Sequence, residues 1–106
     1  MTVEKILEQF DALKSNQLSD TVKIGWLAEV EGRVLCQILG RSPEDVTLPK
    51  GSEDALTLPE SFSRVYLLYL AAMTELFGGD HKAYDTIKRE FEEEFSSYSK
   101  YIIKNR

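Results

Sequence analysis

At residues 65–73 the sequence reads Val65-Tyr66-Leu67-Leu68-Tyr69-Leu70-Ala71-Ala72-Met73, the longest apolar run in a chain of 106 residues. These nine residues are too few to cross the core of a bilayer, which needs about 20. A helix that is apolar on nearly every side is instead buried among other elements. The run therefore predicts a central helix over about residues 60–77, which begins near Pro59 and ends at Gly78-Gly79.

Apolar residues recur at spacings of three and four on both sides of this central helix. They predict further helices over about residues 2–15, 20–39 and 81–103. Ser19 or Asp20 can cap the second helix and Asp80 the last, because their side chains accept hydrogen bonds from free N–H groups. We predict an all-α, four-helix bundle-like single domain, residues 1–106, with a long connection between helices 2 and 3.

The connection, residues 41–60, has a different composition from the rest of the chain. It holds all three prolines, and its five acids and two bases leave a charge of −3 out of the total of −5. A segment of this length with no apolar periodicity is typically mobile or functional. We expect it to become ordered on docking, although Ala55 to Leu58 can also pair as a short strand.

Composition excludes several classes of function. A net charge of −5 disfavours independent nucleic-acid binding and a polybasic membrane anchor, since both need a basic surface. With one Cys no internal disulfide can form, which indicates a reducing compartment. The first 15 residues alternate charged and apolar side chains and do not resemble a signal peptide.

Glu31 projects into the middle of the apolar stripe of helix 2, where an unpaired carboxylate is costly. Arg33 faces away from it, so Arg64 is our candidate partner in a buried ion pair. The alternative is that Glu31 lies at the wet end of the stripe, beside a loop.

Two other groups of residues are candidates for oligomer or partner contacts. Ala28, Gly32 and Cys36 recur every four residues of helix 2 and allow a neighbouring helix to approach closely, either within the subunit or from the next one. Tyr101 and Ile103 point away from the core face of helix 4. They indicate a partner contact, although a frayed last turn explains them equally well.

Residues of the kind that carry catalysis are scarce. His81 and Asp85 are one turn apart and, with Asp80, can be imagined around a divalent ion, but a His beside a capping Asp is commonplace. The Gly78-Gly79 pair follows a helix and lacks the strand and the lysine of a phosphate-binding loop. We therefore expect no catalytic, cofactor-binding or metal site, and no enzymatic activity.

Three stretches resemble a group of small proteins from tailed bacteriophages and prophages of Gram-positive bacteria, similar to the head–tail connector, or adaptor, proteins. The similarity extends over about residues 10–98. Its motifs are hydrophobic patterns. The stretches read KIGWLAEVEGRV (residues 23–34), LPESF (58–62) and VYLLYLAAM (65–73).

The resemblance implies a mostly helical virion structural protein that joins a homo-oligomeric ring beneath the portal. Its partners would be the portal protein and the next neck or tail protein, with DNA only as passing cargo and no membrane. It would be found in the cytoplasm of the bacterial host during assembly and then in the virion neck. The residues themselves leave a second possibility, a soluble helical adaptor or regulatory protein that binds one protein partner through Tyr101 and Ile103.

Overall fold

The computed structural model describes residues 1–105, and this part of the chain is all-α, as predicted. It contains α1 (Val3–Leu13), α2 (Asp20–Arg33), α3 (Arg64–Phe77) and α4 (His81–Lys104). Two of the helices begin at the predicted caps: Ser19 accepts a hydrogen bond from the N–H of Val22, and Asp80 accepts one from the N–H of Ala83. The predicted start of the central helix near Pro59 or Glu60 is wrong, because residues Glu60–Phe62 form a separate 3₁₀ turn and α3 begins at Arg64. No helix within residues 1–105 combines the length and apolar character needed to cross a membrane.

The second helical segment changes its geometry before it ends. After Arg33 the chain forms a π-helical turn, Val34–Ile38, so the N–H of Leu39 bonds to the carbonyl of Val34. Gly40 then adopts a φ of 70°, a conformation that residues with a Cβ rarely adopt. The predicted helix over residues 20–39 is thus an α-helix followed by one wider turn.

α3 is the central helix, as its composition predicts, and packs against α1, α2 and α4. Val65, Tyr66 and Leu70 have no exposed surface. The core joins them to apolar side chains from all the other helices and from the connection. Its other members include Val3, Ile6, Phe10, Leu27, Val30, Val34, Leu56, Leu58, Phe91 and Phe95.

The second half of the connection is held against the start of α1. Thr2 and Ala55 form an isolated antiparallel bridge, and the N–H of Leu56 donates to the carbonyl of Met1 over 2.8 Å. Leu56 and Leu58 are buried on the core. The strand-like pairing expected near Ala55 to Leu58 is therefore reduced to a single bridge.

α4 is the longest helix. Its 24 residues span about 36 Å, against about 21 Å for the 14 residues of α3. Since α4 starts immediately after α3 ends, its last turns extend beyond the first turn of α3. A 3₁₀ turn, Glu60–Phe62, covers part of this extension, with the Phe62 ring 4.9 Å from that of Tyr98.

Candidate functional site

Glu31 is the most deeply buried acidic side chain of the described residues, with 3% of its surface exposed. One carboxylate oxygen accepts a 2.7 Å hydrogen bond from the hydroxyl of Tyr66. The other accepts bonds of 2.9 Å from both the N–H and the hydroxyl of Thr57. The hydroxyl of Tyr66 in turn accepts a hydrogen bond from the N–H of Leu58.

Arg64 is not the partner of Glu31, and the predicted ion pair between them is wrong. The Arg64 side chain is 61% exposed and lies 3.5 Å from the Glu94 carboxylate. The alternative placed Glu31 at the solvent-exposed end of the apolar stripe of helix 2. The exposure that it predicts is also wrong, because Glu31 is buried. It is nevertheless beside a loop, whose N–H and O–H groups replace water around the carboxylate.

The network around Glu31 is a structural junction. It joins α2, the connection and α3 through side chains whose hydrogen-bonding capacity is already used. Burial raises the pKa of Tyr66, and the adjacent Glu31 charge raises it further, so the phenol remains a hydrogen-bond donor. A carboxylate surrounded by three donors within the core positions the chain and is not exposed to a substrate.

Ala28, Gly32 and Cys36 are each half-buried. The neighbour of Gly32 is Leu48 of the connection, whose Cδ2 would lie 3.7 Å from a Cβ added at Gly32. Within residues 1–105, the close approach expected of a second helix is therefore made by a loop side chain. Cys36 lies within the π turn. Contact with a neighbouring subunit remains a prediction.

The end of α4 carries the exposed residues that the sequence singled out. Tyr101 is 47% exposed and Ile103 60% exposed. The Tyr101 ring packs 5.4 Å from Phe62, which fixes the last turns of α4 against the 3₁₀ turn. Ile103 points about 160° around α4 from Tyr101. We use the name α4-end surface for the residues exposed around this end of the bundle, Phe62, Tyr101 and Ile103.

A second apolar surface lies at the other end of the bundle, where α1 and α3 end. Leu13 is 74% exposed, Phe77 71% and Leu76 37%. An ion pair of 2.5 Å between Lys14 and Glu75 holds these two helix ends together. We name Leu13, Leu76 and Phe77 the α3-end surface.

The pattern of apolar residues alone does not distinguish the α3-end surface from the core. Leu13 follows the apolar spacing of α1, and Leu76 and Phe77 extend the apolar run of α3, so all three read as core residues. Their exposure could have been predicted from their location in the last turn of a helix, because no following turn covers a side chain there. The Phe77 ring packs edge to face against Trp26, with the two ring centres 6.3 Å apart.

A groove of about 330 Å³ runs between α1 and the outer face of α3. Its walls are apolar. Its two cationic residues are neutralised, Lys14 by Glu75 and Arg64 by Glu94. The lining residues are Phe10, Leu13, Lys14, Arg64, Leu67, Leu68 and Ala71.

No group of three His, Cys, Asp or Glu side chains within residues 1–105 is placed to hold a metal ion. Asp80 uses its carboxylate to cap α4, and His81 is exposed beside it. The described chain thus offers apolar surfaces and small clefts as its candidate sites.

Comparison of the chain with family models, with curated proteins and with solved structures finds no match in any of the three.

Proposed function

We propose that the chain is a non-enzymatic neck component of a tailed phage or prophage, a head–tail connector that assembles as a ring under the portal and forms part of the DNA channel. The observation that carries the proposal is the pair of exposed apolar surfaces at opposite ends of one bundle. A ring subunit in a stack contacts one partner above it and another below it. Large exposed apolar side chains clustered in two places are typical of protein contacts.

The separation of the two surfaces supports this role. Phe77 closes α3 just before α4 begins, whereas Ile103 lies in the last turn of α4. A helix of this length places them on the order of 30 Å apart, in a molecule whose longest dimension is 39 Å. A single partner domain would have to wrap around the molecule to cover both, but two stacked partners would not.

The charge distribution is compatible with a channel that lets DNA pass. The net charge is −5, and an acidic wall repels phosphates instead of binding them. The connection carries most of this charge, and Glu44, Asp45 and Glu53 in it are exposed. We propose that the connection faces the channel or a basic partner.

The main experiment asks whether the protein is present in purified virions and co-sediments with portal rings. We expect Ile103→Ser and Phe77→Ser each to remove one of the two contacts, so that one variant fails to bind the portal and the other fails to recruit the next neck protein. Arg89→Ser, at an exposed position in the middle of α4, is the matched control. Absence of the protein from virions would exclude the connector.

A soluble helical adaptor or regulatory protein is the second candidate. It is favoured by the projection of Tyr101 and Ile103 beyond the first turn of α3. In that case Ile103→Ser abolishes binding to one soluble partner, Phe77→Ser has no effect on binding, and virions lack the protein.

A further inference from the structure

A small cleft opens where α2, α3 and α4 meet. Its volume is about 130 Å³, which is less than the 300 Å³ or more typical of sites for drug-sized ligands and equals the space of about four water molecules. Ala72 and Phe91, both buried, line it. Arg33, Tyr69, Met73, Tyr84 and Lys88 complete the lining.

Arg33 is held rigidly beside this cleft. Its guanidinium carbon lies 4.6 Å from the centre of the Phe95 ring and 5.3 Å from that of Phe91. One N–H group donates to Glu92 over 3.3 Å. A guanidinium carries five N–H donors, and this is the one side-chain hydrogen bond that Arg33 makes within residues 1–105, so donors remain for a ligand.

Lys88 and Tyr84 also line the cleft, and each side chain carries a hydrogen-bond donor. The Lys88 ammonium lies 5.6 Å from the centre of the Tyr84 ring, and within residues 1–105 no carboxylate lies within 4.0 Å of it. The Tyr84 hydroxyl likewise forms no hydrogen bond inside the described chain. The Tyr69 hydroxyl, in contrast, already donates to Glu29 over 2.7 Å.

We propose that this three-helix cleft binds a single carboxylate group, supplied either by a small free carboxylic acid or by an acidic side chain of a partner protein. A planar carboxylate matches the guanidinium fork of Arg33, and the ammonium of Lys88 supplies the second positive charge. The ligand's methylene groups would lie on Ala72 and Phe91. This inference does not depend on the proposed connector role.

The surrounding charges favour a monoanion over phosphate. Glu29 bonds to Tyr69 and Glu92 to Arg33, so two negative charges already lie beside residues of the cleft. With a carboxylate bound, the two cations (Arg33 and Lys88) and three anions (Glu29, Glu92 and the ligand) have a net charge of −1. A dianion would bring the net charge to −2 and would be repelled more strongly by both glutamates.

Binding is tested by NMR titration of the full chain with sodium acetate, against sodium chloride at equal ionic strength. We expect saturable shifts at Tyr84, Lys88 and Phe91 with acetate. Because a hydrogen bond to a charged group is lost, Lys88→Ala should weaken binding by about tenfold. Lys82→Ala removes another exposed lysine of α4 that does not line the cleft, and should bind acetate like the wild type.

Two further arms identify the source of the carboxylate. Tighter binding of a capped Gly-Glu-Gly peptide than of acetate assigns the cleft to a partner's side chain, and the reverse order assigns it to a free acid. Equal shifts with chloride, tighter binding of inorganic phosphate, or unchanged acetate affinity in both Lys88→Ala and Tyr84→Phe would each overturn the proposal. Lys88 is exposed, so its variant should fold, which circular dichroism checks.

Discussion

The hydroxyl of Tyr66 donates a 2.7 Å hydrogen bond to the carboxylate of Glu31, 35 residues earlier in the chain. The same hydroxyl accepts a bond from the N–H of Leu58. Tyr66 therefore connects a buried charge to a buried backbone group. Removal of the Tyr66 hydroxyl takes one hydrogen-bond partner from the Glu31 carboxylate and one from the Leu58 N–H. A buried polar group left without a partner costs more free energy than the net contribution of the hydrogen bond itself.

We predict that Tyr66→Phe lowers the free energy of unfolding by about 2–3 kcal/mol. Thr57→Val should cost less, about 1 kcal/mol, since it removes a hydroxyl from a largely exposed residue and leaves the Thr57 N–H bonded to Glu31. Urea unfolding followed by far-UV circular dichroism measures both. Equal losses in the two variants would contradict the junction described around Glu31.

The corner between α1 and α2 is predicted to be sensitive to acid. Lys23 is buried, with 3% of its side chain exposed, and its ammonium donates to Asp11 over 2.8 Å. This hydrogen bond lowers the pKa of Asp11 below its usual value. The ion pair contributes its full stabilisation at pH values above the unfolded-state pKa of Asp11, about 3.9. This contribution is lost as the pH falls through the lower pKa that Asp11 has in the folded state.

Asp11→Asn should therefore cost about 1–2 kcal/mol near neutral pH, a value reduced by the partial exposure of Asp11. Its stability should also fall less steeply in acid than that of the wild type. Lys23→Met removes the buried charge as well as the pair and should cost less than Asp11→Asn. Urea midpoints measured from about pH 6 to about pH 2 provide the test, and parallel curves for wild type and Asp11→Asn would refute it.

Replacement of different glycines with Ala is predicted to change the stability of the protein in opposite directions. Gly25 has no atom within 4 Å of an added Cβ, and Gly32 has only Leu48, at an ordinary 3.7 Å. Both lie inside α2, so replacing either with Ala should stabilise the protein by up to about 1 kcal/mol. Gly40 has a φ of 70°. Its replacement by Ala should instead lower the free energy of unfolding by about 1 kcal/mol.

Thermal unfolding of the three Ala variants tests this difference. Gly32→Leu extends the comparison, because a larger side chain meets Leu48 and should displace the connection. A Gly32→Ala variant less stable than the wild type would show that a closer neighbour than Leu48 covers this position. Unchanged melting and normal ring assembly of Gly32→Leu would remove Gly32 from the candidate subunit contacts.

Hydrogen exchange should divide the connection into two parts. The N–H groups of Leu56, Thr57 and Leu58 donate to Met1, Glu31 and Tyr66 respectively. These amides should be protected, whereas those of Thr47 and Leu48, for which the structure shows no acceptor within residues 1–105, should exchange quickly.

Such a pattern restricts ordering on docking to the first half of the connection. Addition of a binding partner should then slow exchange at Thr47 and Leu48 while leaving Leu56 to Leu58 unchanged. Uniformly fast exchange over residues 41–60 would contradict the contacts with α1 and Glu31. Uniformly slow exchange would exclude ordering on docking.

The helical segments were predictable because they depend on local properties. Helix starts are set by side chains that bond within three residues, as at Ser19 and Asp80. The central position of α3 follows from a run that is apolar on almost every side, which only burial on several faces satisfies. The π turn after Arg33 was not predictable, since the same residues also suit a regular α-helix.

The partner of Glu31 was decided by tertiary structure. Helical spacing shows that Glu31 lies within an apolar stripe, but the spacing within one helix does not say which distant groups approach it. Arg64 is only two residues before Tyr66, yet on a helix these side chains point about 160° apart. The neutral hydroxyl of Tyr66 and the N–H of Thr57 therefore bond to Glu31, where charge alone predicted an arginine.

The sequence by itself determined the fold class, the starts of α2 and α4 and the acidity of the connection, because each depends on residues that are close in the chain. The exposure of Leu13 and Phe77, the cleft between Arg33 and Lys88, and the cover over Gly32 depend on where helices end relative to one another. That arrangement is set by packing between segments far apart in the chain, so only the tertiary structure decided which apolar side chains remain exposed.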